Sequence, residues 1–117
     1  MSKPGKFIAL GTGDGDATLI LGSTCNLSML VLSNTATSRR YVKLYDKATA
    51  PASTDTPVQV YEIPLAAANS SAVLIVPIPN EGLRFDSGLG FRIVTVQADS
   101  DSTEATAGDV IVNWALR

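Results

Sequence analysis

Apolar residues in this chain recur in short segments, and none keeps helical spacing for ten or more positions without Gly, Pro or Ser/Thr clusters. The segments are rich in Val, Ile, Leu, Thr and Tyr, which is typical of β-strands. Eight short strands are therefore predicted, at Lys6–Leu10, Ala17–Gly22, Asn26–Ser33, Arg40–Asp46, Val58–Ile63, Ala72–Pro77, Phe91–Gln97 and Val110–Leu116.

The segments between these strands have the composition of turns and loops. Gly11–Gly15 is glycine-rich, Ala50–Pro57 contains two prolines that disfavour helix, and Asp99–Asp109 is a long acidic loop rich in Ser and Thr. Parallel βαβ winding would need helices between the strands, and the sequence predicts none. The pattern predicts an all-β fold, an antiparallel β-sandwich of jelly-roll-like form with about eight short strands.

Alternation along each strand predicts which residues share a face. In Arg40–Asp46 the outward set is Tyr41, Lys43 and Tyr45, an aromatic face of the kind that meets partners. The segments Leu27–Leu32 and Ala72–Ile78 are apolar on both faces, unlike strands with one wet side. They are predicted to be either central strands covered on both sides or interface strands.

Length and composition predict one self-associating domain. The 117 residues match a single domain over 1–117, in which residues 1–6 form a flexible N-terminal arm or a frayed terminus. Hydrophobic residues make up 45% of the chain and charged residues only 17%. A monomer of this size has difficulty burying so much apolar surface, so burial against other subunits is expected.

Charge and hydropathy argue against two classes of partner. The net charge is −2 and the nine basic residues are scattered, so no nucleic-acid footprint is predicted. The longest apolar runs are far shorter than the ~20 residues of a membrane helix, and Phe7–Leu10 is too brief for the apolar region of a signal peptide. We expect synthesis in the cytoplasm and no membrane partner.

The residue types present do not predict an enzyme. The absence of histidine removes histidine bases, and a single cysteine, Cys25, removes thiolate zinc sites and intrachain disulfides. Cys25 has apolar neighbours and is interpreted as a small core residue. No catalytic residue, cofactor or metal is assigned. Whether the acidic loop at 99–109 binds calcium stays open, because its spacing departs from the EF-hand pattern.

Five sequence motifs and Asn113 stand out in the last two-thirds of the chain. The motifs are Arg-Tyr-Val-Lys-Leu-Tyr-Asp-Lys-Ala (40–48), Thr-Asp-Thr-Pro-Val (54–58), Gly-Leu-Arg-Phe (82–85), Gly-Leu-Gly (88–90) and Ala-Gly-Asp-Val (107–110). With these motifs the chain resembles a group of small proteins encoded among the structural genes of tailed bacteriophages, and members of this group resemble capsid decoration, or cement, proteins.

The resemblance implies a virion protein on the head surface, a β-sandwich often present as a homotrimer that binds the major capsid protein and reinforces the shell. It implies no catalytic residues. The contact residues expected on this hypothesis are Lys3, Phe7, Leu30, Tyr41, Tyr45, Tyr61 and Ile75.

The alternative is a carbohydrate- or receptor-binding module of a phage tail or fibre. Tyr41, Tyr45 and Tyr61 would then supply a stacking platform, together with Trp114. Trp114 lies on the apolar side of its predicted strand with Val112 and is assigned to the core.

Overall fold

A computed structural model describes residues 3–11, 14–98, 103 and 105–117 of the chain. In these ranges the chain forms nine strands and one short 3₁₀ turn, Asp14–Asp16. The strands are β1 (Lys3–Ile8), β2 (Thr18–Leu21), β3 (Cys25–Asn34), β4 (Arg40–Asp46), β5 (Gln59–Ile63), β6 (Ala72–Val76), β7 (Leu83–Phe85), β8 (Leu89–Val94) and β9 (Val110–Leu116). The same ranges contain no helix long and apolar enough to cross a membrane.

The strands form two antiparallel sheets. Sheet A has the order β1-β9-β3-β6, and β7 pairs with the other end of β3. Sheet B has the order β2-β8-β4-β5. When β7 is set aside, the first strand pairs with the last, the second with the next to last, and so on inward to β4 and β5. This nested pairing is a jelly roll, so the predicted fold class is confirmed.

Most strands occur where the sequence predicts them, and β4 and β9 have the predicted bounds. The prediction missed β7 (Leu83–Phe85), whose three residues are too few to show an alternating pattern. The expected N-terminal arm at residues 1–6 needs correction where the structure describes it. Lys3–Lys6 pair with Asn113–Leu116 of β9, because β1 starts three residues earlier than predicted.

The core lies between the inward sides of the two sheets. On β3, Leu27, Leu30 and Leu32 are each at most 2% exposed, and they face Val42 and Ile93 of sheet B, which are fully buried. Leu30 was predicted to contact a partner, and that prediction is wrong. Leu30 lies on the inward side of its strand, where no partner can reach it.

Phe91 joins the core to the N-terminal edge of sheet A. Its ring meets Phe7 edge to face at a centroid distance of 5.2 Å, and its centroid lies 6.0 Å from that of Trp114. Phe7 and Trp114 are half-buried and pack against the buried cluster. The assignment of Trp114 to the apolar side of β9 is therefore correct, although part of its ring stays accessible.

Two carboxylates hold the sheets together at loops. Asp109, at the start of β9, accepts hydrogen bonds from Arg40 of β4 at 3.1 Å (Nη2) and 3.3 Å (Nε), and both side chains are largely buried. Asp46, at the end of β4, accepts hydrogen bonds from the backbone N–H groups of Ser87 at 2.8 Å and Asp86 at 3.1 Å. Asp46 thus fixes the turn where the chain passes from sheet A to sheet B.

Truncation of Leu30 should destabilise the fold far more than truncation of an exposed leucine. Leu30→Ala leaves a cavity in a closed core and should lower the free energy of unfolding by about 2–5 kcal/mol. The matched control is Leu10→Ala, because Leu10 is 61% exposed, and it should change stability by no more than about 0.5 kcal/mol. Urea denaturation measures both values. Equal losses in the two variants would contradict the placement of Leu30.

The Asp46 carboxylate should make stability fall at acidic pH. The backbone N–H of Ser87, helped by those of Asp86 and Gly88, lowers the pKa of Asp46 below its usual 3.8. A carboxylate whose pKa is lower in the folded state than in the unfolded state stabilises the fold at pH values above its unfolded-state pKa. This stabilisation is lost as the pH falls through the folded-state pKa. The free energy of unfolding of Asp46→Asn should therefore decline less steeply between about pH 5 and about pH 2, the range that includes the ordinary pKa of an aspartate. Parallel curves for the variant and the unchanged protein would refute this role.

Candidate interaction surface

Loops cover the central part of the outer face of sheet B, whereas Val60 at its β5 edge stays exposed. The face carries Lys43 on β4 directly opposite Arg92 on β8, and these side chains are 0% and 1% exposed. Tyr45, also on this face, is 2% exposed. The predicted aromatic outer face of β4 is therefore wrong for Tyr45 and Lys43. The strand alternates as expected, but distant segments of the chain lie over it.

Two segments make this cover. In the loop at residues 47–58, the carbonyl oxygen of Pro51 accepts a hydrogen bond from Arg92 Nη2 at 3.1 Å. Pro51 also packs on Gly90, where a Cβ would lie 2.9 Å from Pro51 Cδ. In the segment after β8, the carbonyl oxygen of Ala98 accepts a hydrogen bond from Lys43 Nζ. Buried cations need such polar partners, so the loops and the cations hold each other in place.

The loop at 47–58 is further held by an ion pair. Lys47 Nζ lies 2.5 Å from Asp55 Oδ2, and the same oxygen accepts a hydrogen bond from the backbone N–H of Ala52 at 2.7 Å. The Lys47 ammonium, followed by the Ala52 N–H, lowers the pKa of Asp55. At neutral pH the carboxylate is therefore charged and pairs with Lys47.

The outer face of sheet A is open. We call it the apolar face and define it by the outward residues of four adjacent strands. They are Pro4, Lys6 and Ile8 of β1, Ile111, Asn113 and Ala115 of β9, Met29, Val31 and Ser33 of β3, and Val73 and Ile75 of β6.

The register aligns these side chains in rows across the sheet. The central row runs from Lys6 through Asn113 and Val31 to Ile75, each residue directly opposite the next. Side chains opposite each other on one face of a sheet are in contact, with Cβ atoms ~4.5–5.5 Å apart. The apolar face is therefore one continuous surface.

Several apolar side chains of this surface are largely exposed to solvent. Ile75 is 70% exposed, Val73 56%, Ile8 43% and Met29 38%, and Lys6 is the one charged residue in the set. Contiguous apolar patches on soluble monomers mark sites of protein–protein contact. Of the two alternatives for β3 and β6, coverage on both sides is not what the described residues show, since Met29, Val73 and Ile75 face solvent.

The other predicted contact residues lie apart from each other. Ile75 belongs to the apolar face, and Lys3 is exposed near the start of β1. Phe7 points to the opposite side of β1 and packs on Phe91. The outward residues Ile8 and Ile111 were missed. Their positions in alternating strands give the signal for them, once β1 is extended to Lys3 and paired with β9.

The three tyrosines do not form one exposed platform. Tyr41 lies on the outer face of sheet B, half-buried, and its hydroxyl lies 3.3 Å from Glu62 Oε1. Tyr61 packs against the core from β5, and burial raises the pKa of its hydroxyl. With Tyr45 buried, the stacking surface expected for carbohydrate binding is not assembled from these residues.

An apolar cleft opens between the edges of the two sheets, with a volume of about 410 Å³. Trp114, Ile20 and Leu116 line it together with residues of β1. A side chain at Gly5 would collide with the Trp114 ring, which lies across β1 at this position. The glycine thus allows the Trp114 ring to lie against the backbone of β1.

The described residues contain no group of three or more Cys, Asp or Glu side chains able to hold a metal ion. Asp99, Asp101 and Glu104, part of the acidic loop considered for calcium, lie outside the described residues. Asp16 is 3% exposed, and its carboxylate accepts a hydrogen bond from the backbone N–H of Leu10 at 3.2 Å. That carboxylate therefore fixes a turn in the chain.

Comparisons with protein-family models, with curated proteins and with solved structures find no match for this chain. The apolar face is therefore interpreted from its own geometry.

The thiol of Cys25 should be unreactive in the folded protein. Cys25 is 5% exposed, and burial raises its pKa, with a further increase from the negative charge of Asp46. Because the thiolate is the reactive form, a thiol-specific disulfide reagent should modify the native protein more than about tenfold more slowly than the urea-unfolded protein. Absorbance of the released thiolate gives both rates. Equal rates would show that Cys25 is accessible, and the core assignment would then be wrong.

Proposed function

We propose that this protein is a structural component of a virus particle, a capsid decoration protein of a tailed bacteriophage that binds the outside of the head. The observation that carries the proposal is the apolar face of sheet A, which four strands present to solvent and which no loop of the described ranges covers. The sequence motifs that resemble phage structural proteins support the same assignment.

The apolar face suits docking on another protein in three ways. It belongs to regular paired strands, of which β9 and β3 have neighbours on both sides, so little conformational entropy is lost on binding. It has exposed aliphatic side chains, among them Ile8, Met29 and Ile75, and burying them against a partner makes the free energy of binding more favourable. Lys6 and Asn113 within it offer hydrogen bonds that fix orientation.

The proposed action is mechanical. Each copy docks on the major capsid protein and on neighbouring copies, and many modest contacts repeated around a closed shell add up to a large resistance against expansion. No bond is made or broken, and no cofactor, nucleic acid or membrane takes part. Under this proposal the protein is made in the host cytoplasm and functions on the head surface. The resemblance implies a trimer.

A binding assay on heads tests the apolar face. Heads of the encoding phage, prepared without this protein, should bind the purified chain in co-sedimentation. Ile8→Lys and Met29→Lys place a charge where the partner is expected, and each should weaken binding at least ~10-fold, equal to about 1.4 kcal/mol. The matched control is Val60→Lys, because Val60 on sheet B is as exposed as Met29, at 38%. It should bind as the unchanged protein does.

Two outcomes would overturn the proposal. The first is equal binding by the apolar-face variants and the control. The second is absence of the protein from the head shell when purified virions are analysed by mass spectrometry and imaging. Presence in the tail fraction alone would favour the alternative, a receptor-binding module.

A further inference from the structure

Strand β6 is an edge strand without protection. It pairs with β3 on one side only, and its sequence, Ala-Val-Leu-Ile-Val, has no charge, proline or bulge. In an antiparallel strand alternate residues direct their N–H and C=O groups away from the neighbour. Within the described part of the chain, those groups of Ala72–Val76 have no hydrogen-bonding partner on the open side. Such an edge is a template for another strand.

The other edges of the described sheets are protected by recognised devices. β1 carries Pro4 and Lys6, and β2 is four residues long with an irregular register between Leu19 and Leu21. On β5, Glu62 is charged and pairs with Arg39 at 3.5 Å. β7 has only three residues, of which the central one is an arginine. Since charges, prolines, bulges and short lengths discourage edge pairing, β6 is the edge that remains open to it.

We infer that β6 pairs antiparallel with β6 of a second copy of this chain, about a twofold axis perpendicular to the sheet. An antiparallel strand is complementary to itself, so an identical strand satisfies its free backbone groups. A register centred on Leu74 aligns all five residues. It places Val73 opposite Ile75 of the second copy, and the same contact occurs again on the other side of the axis. These are the two most exposed side chains of the strand.

The pairing has two geometric consequences. Because the axis is perpendicular to the sheet, the apolar faces of both copies lie on the same side and form one surface of doubled width. In the dimer the β6 edges of both copies are paired with each other. The opposite edge of each sheet A is β1, whose proline and lysines discourage pairing, so no third copy adds to the sheet. A closed pair differs from the trimer that the resemblance implies. The inference rests on the edge of sheet A, so it is independent of what the apolar face binds.

Lysine substitutions distinguish the role of the β6 edge from that of the apolar face. In sedimentation equilibrium at tens of micromolar, the unchanged protein should be a dimer. Ile75→Lys removes the contact with Val73 twice per dimer and should raise the dissociation constant at least ~10-fold. The matched control is Ile8→Lys, which puts the same charge on the same face beside β9, away from the edge. It should remain dimeric, although it loses binding to heads under the proposed function.

Disulfide trapping tests the register without adding charge. The double variant Val73→Cys with Ile75→Cys should form a covalent dimer on oxidation, because directly opposite Cβ atoms lie ~4.5–5.5 Å apart. Each single variant should not, since its cysteine meets its own copy only diagonally, at ~7–8 Å, beyond the reach of a disulfide. Cys25 is buried and does not compete.

Three results would overturn the inference. The first is a monomer or a trimer for the unchanged protein, and the second is a dissociation constant of the Ile8→Lys dimer as high as that of the Ile75→Lys dimer. The third is failure of the folded double variant to cross-link. None of these requires the head-binding result to fail, so a monomer that still binds heads through its apolar face would remove the twofold pair alone. Loss of head binding with an intact dimer would instead leave the edge pairing standing and overturn the proposed function.

Discussion

The constraint on which this structure depends is that a strand has two sides and a two-layer sandwich buries only one of them. The nested antiparallel pairing turns Leu27, Leu30 and Leu32 of β3 toward sheet B, and this closes the core. β6 and the Leu27–Leu32 part of β3 carry apolar residues on both sides, so their second side remains outside the core. The apolar face is a direct consequence of the pairing and requires no distortion of the fold.

The loops decide which outer surface stays open. The loop at 47–58 joins β4 to β5, both of sheet B, and the segment after β8 also starts from sheet B. Their carbonyl oxygens, from Pro51 and Ala98, hold Arg92 and Lys43 beneath them. The buried cations and the loops thus depend on each other, whereas the apolar face of sheet A keeps its access to solvent. This difference between the two outer faces is the basis of the proposed function.

The apolar face and the edge of β6 offer two kinds of association that meet at Ile75. The face offers side-chain contact, which depends on apolar area and tolerates small changes of orientation. The edge offers backbone hydrogen bonds, which fix the register and relate identical copies by symmetry. The proposed function and the proposed pairing of β6 would use these two surfaces together. In this chain both surfaces belong to one sheet: the backbone groups of β6 would serve association, and the outward side chains of all four strands would serve docking.

The sequence by itself determined the all-β class, the jelly-roll-like sandwich and the bounds of β4 and β9, because alternation and turn residues are local signals. It also showed that β3 and β6 are apolar on both sides. Only the tertiary structure decided that Leu30 is inside and Ile75 outside, since alternation separates two sides of a strand without saying which side meets the other sheet. The burial of Tyr45 and Lys43 was likewise decided by loops distant in sequence, and a pattern within one strand carries no information about what lies over it.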